Sequence, residues 1–372
     1  MAAARASARR VTAAAAADNS SHRHNGSAVL TVMTWNVQLL AVSVGTPAQL
    51  AARAAKLAAR IVALSADVVC LQEVFDARAR AVLLQALAPA YDVVYAPADA
   101  ARCGLVIVAR GGVTLHATAF HRFSGARGAE AWLFDKGAAG ALLLLPTDGD
   151  NVDGEGDSDG SHPADMTSAS LTSAPKRASC VVIINTHTQS NYWAPSERCG
   201  AWLAVPRGHD GSRHDSSVLT RPAHRARAAQ ALELRAFFGR MCTAAATAGF
   251  EVRGALIAGD LNAAAGSPEA DAMLTALRAP HTRDLAEPTC AGVSADDASF
   301  PLGAWKAKLG AYVPAVPTAR LDYILDASAV ARADRKPLRH AEAAVERRIA
   351  ADDDMVLLSD HAAVIAAVGL PR

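Results

Sequence analysis

The stretch Cys180-Val181-Val182-Ile183-Ile184 is apolar at consecutive positions, and after Asn185 the chain breaks into Thr186-His187-Thr188-Gln189. Successive side chains of a strand point to opposite faces, so a run of this kind buries both faces. It belongs between two layers, with its polar exit at the rim of a packed sheet, where loops that carry chemistry sit. Leu30 to Val37, Asp67 to Leu71, Tyr91 to Tyr95, Gly104 to Ala109, Ala141 to Leu145, Ala255 to Ala258, Leu321 to Leu325 and Ala362 to Val368 read as further strands. Pro47 to Leu64 reads as a helix with Leu50, Ala54, Leu57, Ile61 and Leu64 on one face, and Ala77 to Leu87 and Arg225 to Cys242 as two more. Strands outnumber helices and recur in both halves. The fold expected is α+β, a four-layer α/β/β/α sandwich of two packed mixed sheets flanked by helices.

Two stretches do not fit such a core. Residues 1–28 hold four Arg, one acid and little beyond Ala, Ser and Thr, the composition of a disordered tail or an organelle-targeting segment. Asp148 to Asp165 holds seven acids and no Lys or Arg. Its best calcium-loop register places Met166 where the closing Glu belongs, so it reads as a disordered insertion, over about 148–176, in the loop of a hairpin formed by Ala141 to Leu145 and Cys180 to Asn185. The remainder, 29–372, is expected to be one catalytic domain. The apolar content of 51% suffices for a large core. The six cysteines show neither close pairing nor metal-ligand spacing and read as small core residues. A net charge of +1 without clustered Lys and Arg is no nucleic-acid footprint, and no stable nucleic-acid partner is expected.

The polar exit after Ile184 is one of a series. Trp35-Asn36 closes the first strand, Gln72-Glu73 follows Asp67 to Leu71, and Gly259-Asp260-Leu261-Asn262 follows Ala255 to Ala258. Asp322 opens the strand at Leu321, and Asp360-His361 precedes the last strand. Each alone reads as a cap or a solvated strand end. Together they supply hard oxygen ligands for a divalent cation and two imidazoles for proton transfer or charge stabilisation.

Trp35-Asn36, Gln72-Glu73, Thr186-His187, Gly259-Asp260-Leu261-Asn262, Leu321-Asp322-Tyr323 and Ser359-Asp360-His361 stand in an order that resembles the endonuclease/exonuclease/phosphatase superfamily. Within it the chain is most similar to the neutral and bacterial sphingomyelinases. That similarity rests on Leu71-Gln72-Glu73-Val74-Phe75-Asp76, Asp135-Lys136-Gly137, Thr186-His187-Thr188-Gln189, and Arg227, Gln230, Glu233 and Phe237 along one helix. The resemblance implies that Glu73 is the principal metal carboxylate with Asn36 beside it. It implies that Asp260 and Asn262 position the attacking water and bind phosphate or metal. By the same resemblance His361 is the general base held by Asp322, Asp360 a further acid, and His187 a stabiliser of phosphate charge or leaving group. Asp135 and Lys136 match a substrate loop. The implied cofactor is Mg²⁺, with Mn²⁺ or Co²⁺ as alternatives.

The activity expected is metal-dependent cleavage of sphingomyelin or a related phospholipid to phosphocholine and ceramide, by a monomer in peripheral contact with a membrane. A nuclease or inositol-phosphate phosphatase would use the same metal site, and a catalytically silent binding module is the remaining alternative. The chain departs from the bacterial enzymes before Ser359, where 326–358 contain no aromatic residue for membrane docking. Tyr192, Trp193 and Trp202 are the candidates to replace it, in an interface or around a quaternary ammonium.

Overall fold

The computed structural model describes residues 23–24, 27–40, 46–125, 134–146, 178–190, 222–263, 265–277, 283–285, 322–328, 339–346, 361 and 363–371. In chain order these form β1 (Arg23–His24), β2 (Ser27–Leu39), α1 (Pro47–Leu64), β3 (Val68–Val74), α2 (Ala77–Leu87), β4 (Val93–Tyr95), α3 (Ala100–Cys103), β5 (Val106–Ala109), β6 (Thr114–Arg122), β7 (Gly137–Leu144) and β8 (Ser179–His187). Then follow α4 (Pro222–Thr247), β9 (Glu251–Asp260), α5 (Pro268–Leu277), β10 (Arg283–Asp284), β11 (Asp322–Asp326), β12 (Arg339–Glu346) and β13 (Ala363–Leu370).

The strands build two mixed sheets. One runs β12-β13-β2-β3-β5-β4 with β1 paired to β2, and the other β10-β11-β9-β8-β7-β6. Each sheet holds one parallel pair among antiparallel neighbours, β2 with β3 and β8 with β9. A parallel pair needs a long crossover, and α1 and α4 lie within those two connections. Among the described residues these form two βαβ units, and the carboxyl ends of their strands carry Asn36, Glu73, His187 and Asp260.

Alternation along β8 explains the apolar run. Val181 and Ile183 enter the layer between the sheets, with Val32, Cys70, Ile107, Leu256 and Ile324. Val182 and Ile184 face the other way and pack with Leu234, Phe237 and Met241 of α4. On the outer face of the first sheet, Met33, Trp35 and Leu71 meet Leu57 and Ile61 of α1 and Leu83 of α2. Each fully buried Leu or Ile of that face contributes about 2 kcal/mol of hydrophobic stabilisation. The four layers expected from the sequence are present, and Leu50, Ala54, Leu57, Ile61 and Leu64 form the buried stripe of α1.

β7 and β8 pair antiparallel through Leu144 and Cys180, as the hairpin reading requires. The acidic insertion between them lies outside the described residues, as does all of 1–28 apart from Arg23, His24 and the first two residues of β2. Cys70, Cys103 and Cys180 are buried free thiols and Cys242 is half-buried, so these four serve as small core residues, while Cys199 and Cys290 lie outside the described residues. Among the described residues no helix is long and apolar enough to cross a membrane.

Gly259 marks where the second sheet is tightest. It pairs with Thr186 of β8 at a φ of 150°, and a Cβ there would collide with the Thr186 carbonyl. Gly259→Ala is expected to cost at least about 3 kcal/mol in denaturant unfolding, because the backbones must part. A loss below about 0.5 kcal/mol, the scale of a surface substitution, would show that β8 and β9 do not approach so closely.

Candidate active site

The site is assembled by sheet register. Asp322 of β11 lies opposite Asp260 of β9, and Asp260 lies opposite His187 of β8. His187 in turn faces Gly137, the residue after Lys136. Three chemically active positions thus form one row across the rim of the second sheet, with Lys136 at its end. Asn36 and Gln72 are paired on the facing sheet. All these strands present the same parity toward the inter-sheet layer, since Thr34, Cys70, Asn185, Ala258 and Ile324 lie two residues away from the site positions and are buried.

Glu73 breaks this alternation. Its outer neighbour Leu71 belongs to the helix-covered face, so a regular strand would point Glu73 away from the site. Instead Glu73 has φ 60°, where the β2–β3 ladder shifts register between Asn36 and Leu39, and Gln38 within that shift has φ 49°. The left-handed backbone brings the Glu73 carboxylate over the other sheet, with Oε1 3.8 Å from His187 Nε2. Such a conformation costs a non-glycine residue about 1–3 kcal/mol, which the surrounding packing must offset. Asn262 is also left-handed, at φ 52°, a region its side-chain type tolerates.

The polar groups are tightly interlocked. His361 Nδ1 lies 2.8 Å from Asp322 Oδ2, and Trp35 Nε1 donates to the His361 carbonyl at 2.8 Å. Nε2 of the same ring is 3.8 Å from Asp260 Oδ2. Asn36 Nδ2 donates to Asp260 Oδ2 at 3.0 Å, and the Asn262 backbone N–H donates to Asp260 Oδ1 at 2.8 Å. The Asn262 side chain donates to Thr188 O at 3.1 Å. Lys136 Nζ lies 2.6 Å from His187 Nε2, which is also 3.5 Å from Asp260 Oδ2.

Burial pushes the Asp260 carboxyl up to about 6; His361, the Asn36 amide and Lys136 oppose the shift and Asp322 adds to it. Burial, then the Lys136 and His361 charges, hold His187 well below the usual imidazole range. His187 is therefore neutral at pH 7, and its Nε2 is the lone pair that accepts from the Lys136 ammonium.

Asp135 is nearly buried and lies between two arginines. Arg102 Nε and Nη2 donate to its two oxygens at 3.0 and 3.1 Å, and Arg122 Nη2 is 3.0 Å from Oδ1. Its backbone N–H donates to Arg102 O at 2.8 Å, so the residue braces Lys136 from behind. Gly137 lets β6 approach, since a Cβ there would collide with the His121 carbonyl. Asp360, Tyr192, Trp193 and Trp202 lie outside the described residues.

The oxygen donors fit a divalent cation. The carboxylates of Glu73 and Asp260 converge on one imidazole nitrogen, Asn36 adds an amide, and a buried carboxyl raised to about 6 is costly as an unneutralised anion. Asp260, Asp322 and His361 also bring one ligand atom each within 4.8 Å of one another, a second spacing suited to a metal ion.

The sequence assigns no site role to Asn185, Arg102, Arg122 or Glu269, and it marks Thr188 and Arg227 only as points of resemblance. Arg227 Nε donates to Glu269 Oε1 at 2.6 Å, and Nη1 donates to Gln189 O at 2.7 Å. This pair fastens the loop after β8 to α4 and α5. Asn185 carries a signal of its own, as a polar residue at an inward position of an apolar strand.

The sequence matches the Endonuclease/Exonuclease/phosphatase family over residues 33–361. The chain belongs to this family. Comparison with curated proteins gives no match. Among solved structures it is similar to sphingomyelinase C from Streptomyces griseocarneus, at 19% identity and TM-score 0.53, over 92% of this chain and 99% of that one. It is similar to a humanized D. rerio TDP2 at 16% identity and TM-score 0.54, over 91% and 98% of the two chains. A variant of beta toxin from Staphylococcus aureus with bound magnesium ions is similar at 18% identity and TM-score 0.51, over 91% and 98%. At these identities the likeness is one of fold. Membership of the family makes the chain a phosphoesterase of the endonuclease/exonuclease/phosphatase type, and the substrate is a separate question.

Proposed function

We propose that the protein is a Mg²⁺-dependent phosphodiesterase of the sphingomyelinase type, which releases phosphocholine from sphingomyelin or a related choline phospholipid. One observation carries this reading: Lys136, from the Asp-Lys-Gly segment, bonds His187 inside the site, beside the carboxylates that face it. A fixed ammonium there can take up the charge of a single phosphodiester anion without an extended basic surface.

Glu73, Asn36 and Asp260 would hold the cation, which supplies a Lewis acid for a phosphoryl oxygen. The remaining steps belong to the side chains. Asp322 accepts from His361 Nδ1, so Nε2 is left with its lone pair toward the site and removes a proton from the attacking water. The Asp322 carboxylate stabilises the imidazolium that results, the water oxygen bonds to phosphorus as the P–O bond to the lipid alcohol breaks, and the departing alkoxide takes a proton from solvent. Asp260 is fixed at one oxygen by the Asn262 N–H and at the other by Asn36, so it cannot swing as charge develops. Neutral His187 accepts from Lys136 at Nε2 and so holds the ammonium beside the carboxylates of the site. The aromatic residues Tyr192, Trp193 and Trp202 are proposed to meet the choline or the membrane surface.

The test is a phosphodiester panel assayed with Mg²⁺ and with chelator. Phosphocholine release from sphingomyelin in mixed micelles is expected, abolished by chelator. Inert sphingomyelin and lysophospholipids combined with nicking of DNA or dephosphorylation of inositol phosphates would reject the sphingomyelinase reading and leave the metal phosphoesterase intact.

A further inference from the structure

The layer between the sheets is apolar through Val32, Cys70, Ile107, Val181 and Ile183, and then reaches Gln72, Asn185 and Thr34, all three fully buried. Gln72 Nε2 donates across the gap to Asn185 Oδ1 at 2.7 Å, and within its own sheet to Thr34 Oγ1 at 3.0 Å and Cys70 O at 3.1 Å. Asn185 Nδ2 donates in the other direction, to Leu71 O at 2.8 Å and Val106 O at 2.9 Å. We propose that Gln72 and Asn185 are positioning residues of the active site, a pin between the sheets that sets Glu73 against His187 and Asp260.

Apolar packing of the kind that gathers Ile107 and Ile183 in one buried cluster is favourable but non-directional, so it holds two sheets together without fixing their relative slide to a fraction of an ångström. Hydrogen bonds of defined length and angle do fix it. The cation site is divided between the sheets, with Asn36 and Glu73 on one and Asp260 and His187 on the other, so a slide of about 1 Å would cost on the order of 100-fold in rate.

The pin stands where such a slide has most effect. Gln72 adjoins Glu73 in sequence, and Asn185 is one inward position before His187. Leu71 and Val106 are the last pair of the β3–β5 ladder, so Asn185 grips carbonyls where the ladder ends and β3 turns left-handed into Glu73. Buried polar pairs of this kind add little net stability over apolar residues of similar volume. Their contribution here is arrangement.

This inference rests on the reading that Glu73 and Asp260 share a cation, and the experiment separates the two. Mg²⁺ binding by calorimetry, thermal unfolding and turnover of a soluble phosphodiester are measured for the native full chain, Gln72→Met, Asn185→Leu, their double variant, and Thr34→Val as the control that loosens only the arm within one sheet. Gln72→Met and Asn185→Leu are each expected to weaken Mg²⁺ binding at least tenfold. The double variant should be little worse than either, and Thr34→Val should stay within twofold of native whatever its Tm. Should Asn185→Leu fail to fold, Gln72→Met, close to glutamine in volume, carries the test. Cooperatively unfolding pin variants that bind Mg²⁺ as the native protein does, or an equal loss in Thr34→Val, overturn the pin and leave the site reading standing. A native protein that binds no Mg²⁺ overturns the site reading, and the pin with it.

Discussion

His361→Ala is expected to lower kcat on a soluble phosphodiester by about 10³-fold while leaving Mg²⁺ binding within a few-fold of native, as removal of a general base should. His361 is held at its ring and at its backbone. Asp322 holds Nδ1 at 2.8 Å, and Trp35, itself buried, holds the His361 backbone carbonyl at 2.8 Å. What remains of the imidazole is Nε2, facing Asp260. If base and carboxylate act as one unit, Asp322→Asn should be damaging alone, because an amide that donates to Nδ1 would force the proton onto Nε2 and spoil the tautomer. Combined with His361→Ala it should add little, since there is then no imidazole to orient. Steady-state kinetics on the two single variants and the double variant, with Mg²⁺ saturating, give the coupling directly. Losses that multiply would mean that Asp322 acts apart from His361. The alternative Asp260-Asp322-His361 metal group predicts a different pattern, in which both single variants first raise the Mg²⁺ requirement.

Much of this site could be read from the chain because its polar residues end strands that are apolar on both faces. β8, β9 and β11 stand out for that reason, and their exits delivered His187, Asp260 and Asp322 to one row. β6 did not stand out. It is the edge strand of its sheet, its faces alternate between half-buried and exposed, and Thr, His and Arg occupy it much as they would a loop. α5 is only ten residues long and follows directly on the site, so its apolar stripe of Ala270, Met273 and Leu277 is too short to announce a helix. The pairing of His361 with Asp322 rested on resemblance, since the two lie 39 residues apart in sequence and only the order of β13, β2 and the facing β11 brings them together. Asn185 with Gln72 was illegible for the same reason. Each reads as an isolated polar residue until the two sheets are laid face to face.

The direction of Glu73 was the least legible feature, and it carries the other large effect. Alternation assigns its side chain to the helix-covered face, yet the left-handed backbone turns the carboxylate toward His187 Nε2 at 3.8 Å. Among the described carboxylates of the site it is the partly exposed one, at 18% against 2% for Asp260, and so the one of these that an incoming hydrated cation meets first. Mg²⁺ keeps several waters and binds through one or two carboxylates, which suits a dominant Glu73 with Asp260 behind it. Glu73→Gln retains the shape and the capacity to accept a hydrogen bond but removes the charge. It is therefore expected to leave Tm in chelator within a few degrees of native and weaken Mg²⁺ binding by at least 100-fold. At fixed low Mg²⁺, turnover should fall by orders of magnitude, with partial recovery as Mg²⁺ is raised. Glu73→Ala should fare worse, since no oxygen then remains to recover. Calorimetric Mg²⁺ titration of both variants in parallel with activity decides the matter: binding as tight as native with turnover lost would move Glu73 from the cation to the phosphate, and native turnover at low Mg²⁺ would remove it from the site altogether.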